Sequence, residues 1–148
     1  KMHTLLDLKG SIPSFIEITE GSVHEVRILD NIPLEPGSFY LMDRGYLDFK
    51  RLYNIHKGFC YFVIRAKKNL KFRRQYSNPI DPMTKIRADQ ICILEGFYAK
   101  QNYPEKLRRI KIYDADTESY LTFLTNKVRL CECSEPQSEP FVGQARSA

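Results

Sequence analysis

The chain has 148 residues, of which 43% are hydrophobic and 28% are charged, and its formal net charge at pH 7 is +5. This is the composition of one ordinary soluble domain that is large enough to bury a core. No apolar stretch is long enough to span a membrane and no signal-peptide pattern is present, so we expect a cytoplasmic protein.

The charge is distributed unevenly along the chain. Residues 1–48 carry 4 basic and 8 acidic side chains, whereas residues 49–148 carry 19 and 10. Between residues 65 and 87 there are eight basic residues and a single acid, Asp81. Such clustering is typical of a surface that binds a nucleic-acid phosphate backbone, but it is equally typical of a solvated basic loop. The composition alone leaves both interpretations open.

The first elements predicted in chain order are a hairpin and a helix. Residues 2–8 and 12–19 are apolar with β-branched members, and a Lys-Gly-Ser turn signal separates them, which predicts an antiparallel hairpin. Ser22 and Glu25 have the spacing of a capping box, in which each side chain satisfies a free backbone N–H of the other. We therefore expect a helix that continues to about Asp30.

The centre of the chain predicts a βαβ unit. The apolar run Phe39–Met42 ends at Asp43, apolar residues then recur at helical spacing over residues 46–57, and a second apolar run covers residues 59–65. Two such strands joined by a helix are expected to be parallel, and ligands collect where parallel strands end. Asp43 is thus placed to bind a metal ion or to act as a base, although an acid there can also simply cap the helix.

The rest of the chain predicts strands followed by a tail. Residues 66–90 are expected to form an irregular or hairpin excursion, and short strands are predicted at 91–94, 107–113 and 119–124. Beyond Asn126 the sequence is rich in small, polar and proline residues, which predicts disorder. We divide the chain accordingly into residues 1–65, a partial catalytic core; residues 66–126, a basic β-rich insertion; and residues 127–148, a disordered tail.

The cysteines do not form a metal-binding pattern. Cys60 and Cys92 are isolated, and Cys131 and Cys133 form a C-x-C pair with no histidine pair after it. This spacing argues against zinc, and the absence of a secretory signal argues for reduced thiols.

Several stretches together resemble a known family. They are KMHTLLDLKGSIP, ITEGSVHEVRILDNI, the segment FYLMDRGYLDFKRLYNIHKGFCYFVIRAKKN around Asp43, YPEKLRRIKIYD and YLTFLTN. In this order they resemble the DDE-type transposases of bacterial insertion sequences, a branch of the retroviral-integrase-like superfamily. The resemblance implies an α/β fold with a ribonuclease H-like mixed sheet, here lacking its first strand and carrying a β-rich insertion after the central βαβ unit.

The resemblance also implies a metal-dependent reaction on DNA. In that family two aspartates and a glutamate hold two Mg²⁺ or Mn²⁺ ions, and the reaction cleaves and joins phosphodiester bonds at the ends of the element. Asp43 corresponds to the second aspartate, whereas the first would precede Lys1, and the glutamate signature Y-x₂-R-x₃-E-x₆-K does not occur in this sequence. We therefore expect a central fragment that binds no metal stably and is catalytically inactive by itself.

Double-stranded DNA, as transposon end and as target, is the implied partner, and the intact protein is expected to form a homodimer. The basic residues predicted to contact DNA are Arg44, Arg65, Lys67, Lys68, Lys71, Arg73, Arg74, Arg108 and Arg109. The alternatives are a non-enzymatic basic module that binds nucleic acid and a folded remnant without activity.

Overall fold

The computed structural model of the chain describes residues 1–8, 12–22, 24–129 and 141–147. Nine strands lie within these ranges: β1 (Met2–Asp7), β2 (Ile12–Ile18), β3 (Phe39–Met42), β4 (Tyr61–Arg65), β5 (Phe72–Ser77), β6 (Ile86–Leu94), β7 (Leu107–Asp114), β8 (Ser119–Thr125) and β9 (Phe141–Ser147). Two α-helices, α1 (Phe49–Lys57) and α2 (Phe97–Asn102), and two 3-10 helices, Glu25–Asp30 and Arg44–Tyr46, complete the described elements.

All nine strands form one mixed sheet in the order β2-β1-β9-β3-β4-β8-β7-β6-β5. Strand β3 is parallel to both of its neighbours, β4 and β9, and the other neighbouring pairs are antiparallel. The fold is therefore of the mixed α/β class, as predicted. None of the described helices has the length and apolar character needed to cross a membrane.

The predicted N-terminal hairpin is confirmed. β1 and β2 pair antiparallel with Met2 opposite Ile18 and Asp7 opposite Ile12. The register shifts between Leu5 and Leu6, and Pro13 lies opposite Leu6. A proline has no N–H to donate, so it is tolerated beside an irregularity on an edge strand such as β2.

The predicted helix after this hairpin differs in type and start. It is a 3-10 helix, its first residue is Glu25, and His24 rather than Ser22 holds the cap position, with no side-chain cap hydrogen bond. Glu25 is engaged elsewhere: its carboxylate lies 3.7 Å from the Lys1 ammonium and against the position that a Cβ on Gly45 would take. The capping-box prediction is therefore wrong, because tertiary contacts bind the glutamate.

The central βαβ unit is confirmed, with β3 parallel to β4 and α1 between them. The helix begins where the Asp48 side chain accepts a hydrogen bond from the Arg51 amide at 3.0 Å. Leu52 and Ile55 on its inner face are buried. They join the buried side chains of β3 and β4 in one hydrophobic core, which stabilises the position of the two strand ends.

The β-rich region continues the same sheet. Residues 66–90, for which an irregular or hairpin excursion was expected, contain β5 and the start of β6, which pair antiparallel. β8 then pairs with β4, so β5 to β8 extend the sheet outward from the parallel strands. Helix α2 was not predicted from the sequence. The division of the chain into separate regions at residue 66 remains a prediction.

The C-terminal segment corrects one expectation. Disorder was predicted over residues 127–148, but residues 141–147 form β9, between β1 and β3. Residues 130–140 and 148 lie outside the described residues, so the prediction for them is not tested. For β9 the prediction failed because it was based on side-chain composition alone. β1 and β3 would otherwise each present an unpaired row of backbone N–H and C=O groups, and a strand inserted between them pairs both rows.

Candidate functional site

Asp43 lies at the edge where the parallel strands end. It follows β3 directly, and its neighbour Met42 is opposite Ile64 of β4 and Ala145 of β9. The residue is exposed, and as the cap of the short helix Arg44–Tyr46 it makes no side-chain cap hydrogen bond. The simple capping role is thus not observed.

A buried polar pair lies beneath this edge. Tyr46 is 1% exposed, and its hydroxyl is 3.1 Å from Nδ1 of His3, whose Nε2 is 3.1 Å from the hydroxyl of Thr19. The pKa of Tyr46 is raised to about 12, first by burial and then by the negative charges of Glu25 and Asp43. The carboxylates of Glu25 and Asp43 therefore both lie near the Tyr46 phenol.

Sequence reasoning missed this pair because its members are far apart in the chain. Tyr46 was assigned only to the apolar face of a helix, and no sequence pattern links it to His3. The hairpin and the β3 edge must first be packed together before the two side chains meet. The only local signal is that His3 stands at an inward position of an alternating strand.

A group of basic residues forms a pocket beside the same edge. We call it the basic pocket; its volume is about 90 Å³. The basic side chains that line it are Arg44, Arg65, Lys67, Lys68 and Arg109. Arg44 and Arg65 flank the strand ends, and the lysines follow β4. Five of the nine predicted DNA-contact residues are therefore brought together.

Arg109 has an unusual environment in this pocket. One of its terminal nitrogens donates to Gln90 at 2.8 Å, and its guanidinium carbon lies 4.4 Å from the centre of the Phe72 ring. Its Nε is buried and has no hydrogen-bond partner among the described residues. Burial also lowers the pKa of the guanidinium from its usual value. A bound anion would satisfy the free donor and offset the cost of burying the charge.

The other four predicted contact residues lie elsewhere. Lys71, Arg73 and Arg74 are exposed at the start of β5, the outermost strand of the sheet. Arg108 instead forms a largely buried ion pair with Asp89, at 2.6 Å. This geometry gives Arg108 a structural partner, so it is not presented to a ligand as the others are.

The metal-ligating residues are sparse. Across the described ranges no group of three or more His, Cys, Asp or Glu side chains could hold a metal ion. Cys60 and Cys92 are free and buried, while Cys131 and Cys133 lie outside the described residues. A two-ion site needs several carboxylates at one place, and Asp43 alone does not fit that requirement.

Comparison with known proteins decides the family. The model of the family described as "Transposase DDE domain" matches residues 1–130. The chain belongs to the transposase DDE domain family. The resemblance inferred from the segment around Asp43 is thereby confirmed.

A relative of this DDE domain is the protein named "Putative transposase y4zB" from Sinorhizobium fredii (strain NBRC 101917 / NGR234). It is 30% identical over 131 residues, which are 85% of this chain and 36% of the relative. The chain thus spans about a third of the length of that relative. No solved structure matches this chain.

Proposed function

We propose that this chain is part of a DNA transposase and that it binds the phosphate backbone of double-stranded DNA at the basic pocket, beside Asp43. The main support is the convergence of five basic side chains on the edge at which the parallel strands end. That edge is where ligands collect in open α/β sheets.

We further propose that the fold is ribonuclease H-like. The order of hairpin, strand, helix and parallel strand matches the plan that the family resemblance implies. The plan calls for one more strand than the hairpin supplies, next to β1, and β9 lies between β1 and β3. In this interpretation β9 completes the sheet from the opposite end of the chain.

In the full-length proteins of the family we propose that Asp43 is one of the carboxylates that bind Mg²⁺ or Mn²⁺. This chain places one carboxylate, Asp43, directly at the ends of its three parallel strands, since the neighbouring strands end in Arg65 and Ser147. One carboxylate is too weak a ligand set for two divalent ions about 3.5–4 Å apart. The chain by itself is therefore proposed to bind DNA without cleaving it, and homodimerisation is proposed for the longer protein only.

DNA binding is tested by fluorescence anisotropy with a labelled duplex at several salt concentrations. We expect the affinity to fall steeply with salt, because each phosphate contact contributes about 0.9 to the slope of log K against log salt. The double variant Lys67→Gln/Lys68→Gln should reduce that slope by about 1 for each phosphate contact that is lost.

The matched control is Lys100→Gln/Lys106→Gln, which removes two exposed lysines that do not line the basic pocket. It should leave the slope close to that of the unchanged protein. Equal effects of the two double variants would mean that binding follows net charge and not this pocket. An absence of duplex binding at low salt would contradict the proposal and favour an inactive remnant.

A non-enzymatic nucleic-acid-binding module is the second candidate. It is favoured by the absence, among the described residues, of a cluster able to hold a metal ion. The two candidates predict the same binding by this chain and differ in whether longer relatives require the residue equivalent to Asp43 for strand cleavage.

A further inference from the structure

A second pocket lies at the opposite end of the parallel strands from Asp43. It has a volume of about 510 Å³, within the usual range for small-molecule sites. We call it the aromatic pocket; its principal lining residues are Tyr53, His56, Lys57, Phe59, Tyr61 and Asn126. They come from the end of α1, the start of β4 and the residue after β8.

Phe59 is held in this pocket by an unfavourable backbone conformation. Its φ is +59°, and its side chain is 80% exposed. The Phe59 amide donates to the His56 carbonyl and the Cys60 amide donates to the Ile55 carbonyl, both at 3.1 Å. This is the helix-ending arrangement in which glycine normally takes the left-handed position.

Here the glycine stands one residue too early. Gly58 has a φ of −76°, so the left-handed position falls on the phenylalanine. An exposed aromatic ring gains little from burial, so it does not offset the strain of its own backbone. Strained backbone positions cluster at active sites and ligand-binding sites.

Two lysine ammonium groups lie near aromatic rings of the pocket lining. The Lys57 ammonium lies 5.1 Å from the ring centre of Tyr53, and the Lys127 ammonium lies 4.4 Å from that of Tyr61. Tyr61 is also stacked on Phe39, with ring centres 4.8 Å apart. Aromatic rings stack on bases of any sequence, and neighbouring lysines attract the phosphate.

The polar part of the lining is fixed by Asn126. Its amide nitrogen lies 3.1 Å from Nδ1 of His56 and donates to the Cys60 carbonyl at 2.9 Å. Its oxygen accepts from the Phe62 amide at 2.9 Å. Since the asparagine nitrogen is a donor, Nδ1 of His56 must accept, and the ring proton resides on Nε2. These three hydrogen bonds hold the Asn126 side chain in one position in the pocket wall.

We propose that the aromatic pocket binds an unpaired nucleotide of single-stranded DNA. The base stacks on the exposed ring of Phe59, next to the half-buried Tyr61, and the phosphate is attracted by Lys57 and Lys127. This site is separate from the basic pocket, which contacts duplex backbone, and it does not depend on Asp43.

The test uses the full 148-residue chain and two fluorescein-labelled decamers of equal charge, one of deoxythymidine and one without bases. The unchanged protein is expected to bind the thymidine decamer about tenfold more tightly, since stacking requires a base. Phe59→Gly should abolish that preference while it raises the thermal midpoint of unfolding, because glycine adopts a positive φ freely. The rise would show that the variant is folded.

Phe97→Ala is the matched control, because Phe97 is 77% exposed on α2 and does not line the pocket. It should retain the tenfold preference. Equal binding of the two decamers by the unchanged protein, or a preference that survives Phe59→Gly, would overturn the proposal. Lys67→Gln/Lys68→Gln should weaken duplex binding alone, so failure of the duplex proposal and failure of this one are distinguishable.

Discussion

At the scale of single residues, Tyr103 is a buried group that lacks a partner. It is 1% exposed, its ring contacts those of Tyr53, His56 and Phe62, and its hydroxyl has no hydrogen-bond partner among the described residues. Burial raises the pKa of this phenol, and the charge of Glu105 adds to the effect. The ring is therefore well packed while the hydroxyl is desolvated without compensation.

Tyr103→Phe is expected to raise the free energy of unfolding by about 1 kcal/mol, because it removes an unsatisfied buried hydroxyl and keeps the ring. Urea unfolding followed by circular dichroism measures this change. Tyr46→Phe is the matched control: it removes a hydroxyl that pairs with His3, and it should lower the stability by about 1 kcal/mol. If both substitutions shifted stability in the same direction, this account of Tyr103 would be incorrect.

At the scale of elements, one ion pair joins the outer strands. Arg108 of β7 donates to both carboxylate oxygens of Asp89 on β6, at 2.8 and 2.6 Å, and Asn78 donates to the same carboxylate at 3.0 Å. Burial by itself would raise the pKa of Asp89, but these hydrogen bonds outweigh it, so the pKa lies below its usual value. The carboxylate is thus stabilised in its charged form.

Arg108→Leu is expected to lower the free energy of unfolding by about 3–5 kcal/mol at neutral pH, because Asp89 is left buried and unpaired. The double variant Asp89→Leu/Arg108→Leu should lose much less, since no charge remains. Because the folded pKa of Asp89 is depressed, its contribution is present at neutral pH and is lost as the pH falls through that pKa. Urea unfolding of the two variants measures both changes. A double variant that loses as much stability as Arg108→Leu, or more, would contradict this account.

Elements were predicted where the local pattern is strong, and missed where distant residues decide. The hairpin, β3, α1 and β4 have clear alternation or helical spacing, and Gly58 marks the helix end within one residue. The 3-10 helix at Glu25 began later than predicted because Glu25 contacts Lys1. β9 was missed because its sequence, FVGQARS, has little strand character and its pairing depends on two strands far away in the chain.

The candidate site was partly predictable for the same reason. Asp43, Arg65 and the lysines after β4 could be assigned to one edge from the βαβ pattern. Arg109 reaches that edge only through two antiparallel pairings, of β4 with β8 and of β8 with β7. The pairing of β7 with β6 places its neighbour Arg108 beside Asp89. Sequence alone does not show which of the two arginines lines the basic pocket and which one pairs with Asp89.

At the scale of the whole molecule, Asp43 is the one carboxylate that, within the described ranges, directly follows one of the parallel strands at their common edge. We therefore expect no plasmid nicking by the purified chain in about 5 mM Mg²⁺ or Mn²⁺, since one carboxylate does not fix two divalent ions. Agarose-gel conversion of supercoiled to open-circular plasmid measures the activity. Nicking that is present in the unchanged chain and absent in Asp43→Ala would refute this expectation.

Strand β9 also constrains the order in which the molecule assembles. β1 pairs with β2 and β9 alone, so His3 meets Ser147 before the hairpin is part of the sheet. During synthesis on a ribosome, the hairpin can therefore join the sheet only after β9, a strand far along the chain, has been made. Contacts so distant along the chain slow folding. Until they form, β1 and β3 have unpaired edges with which strands of other nascent chains can pair.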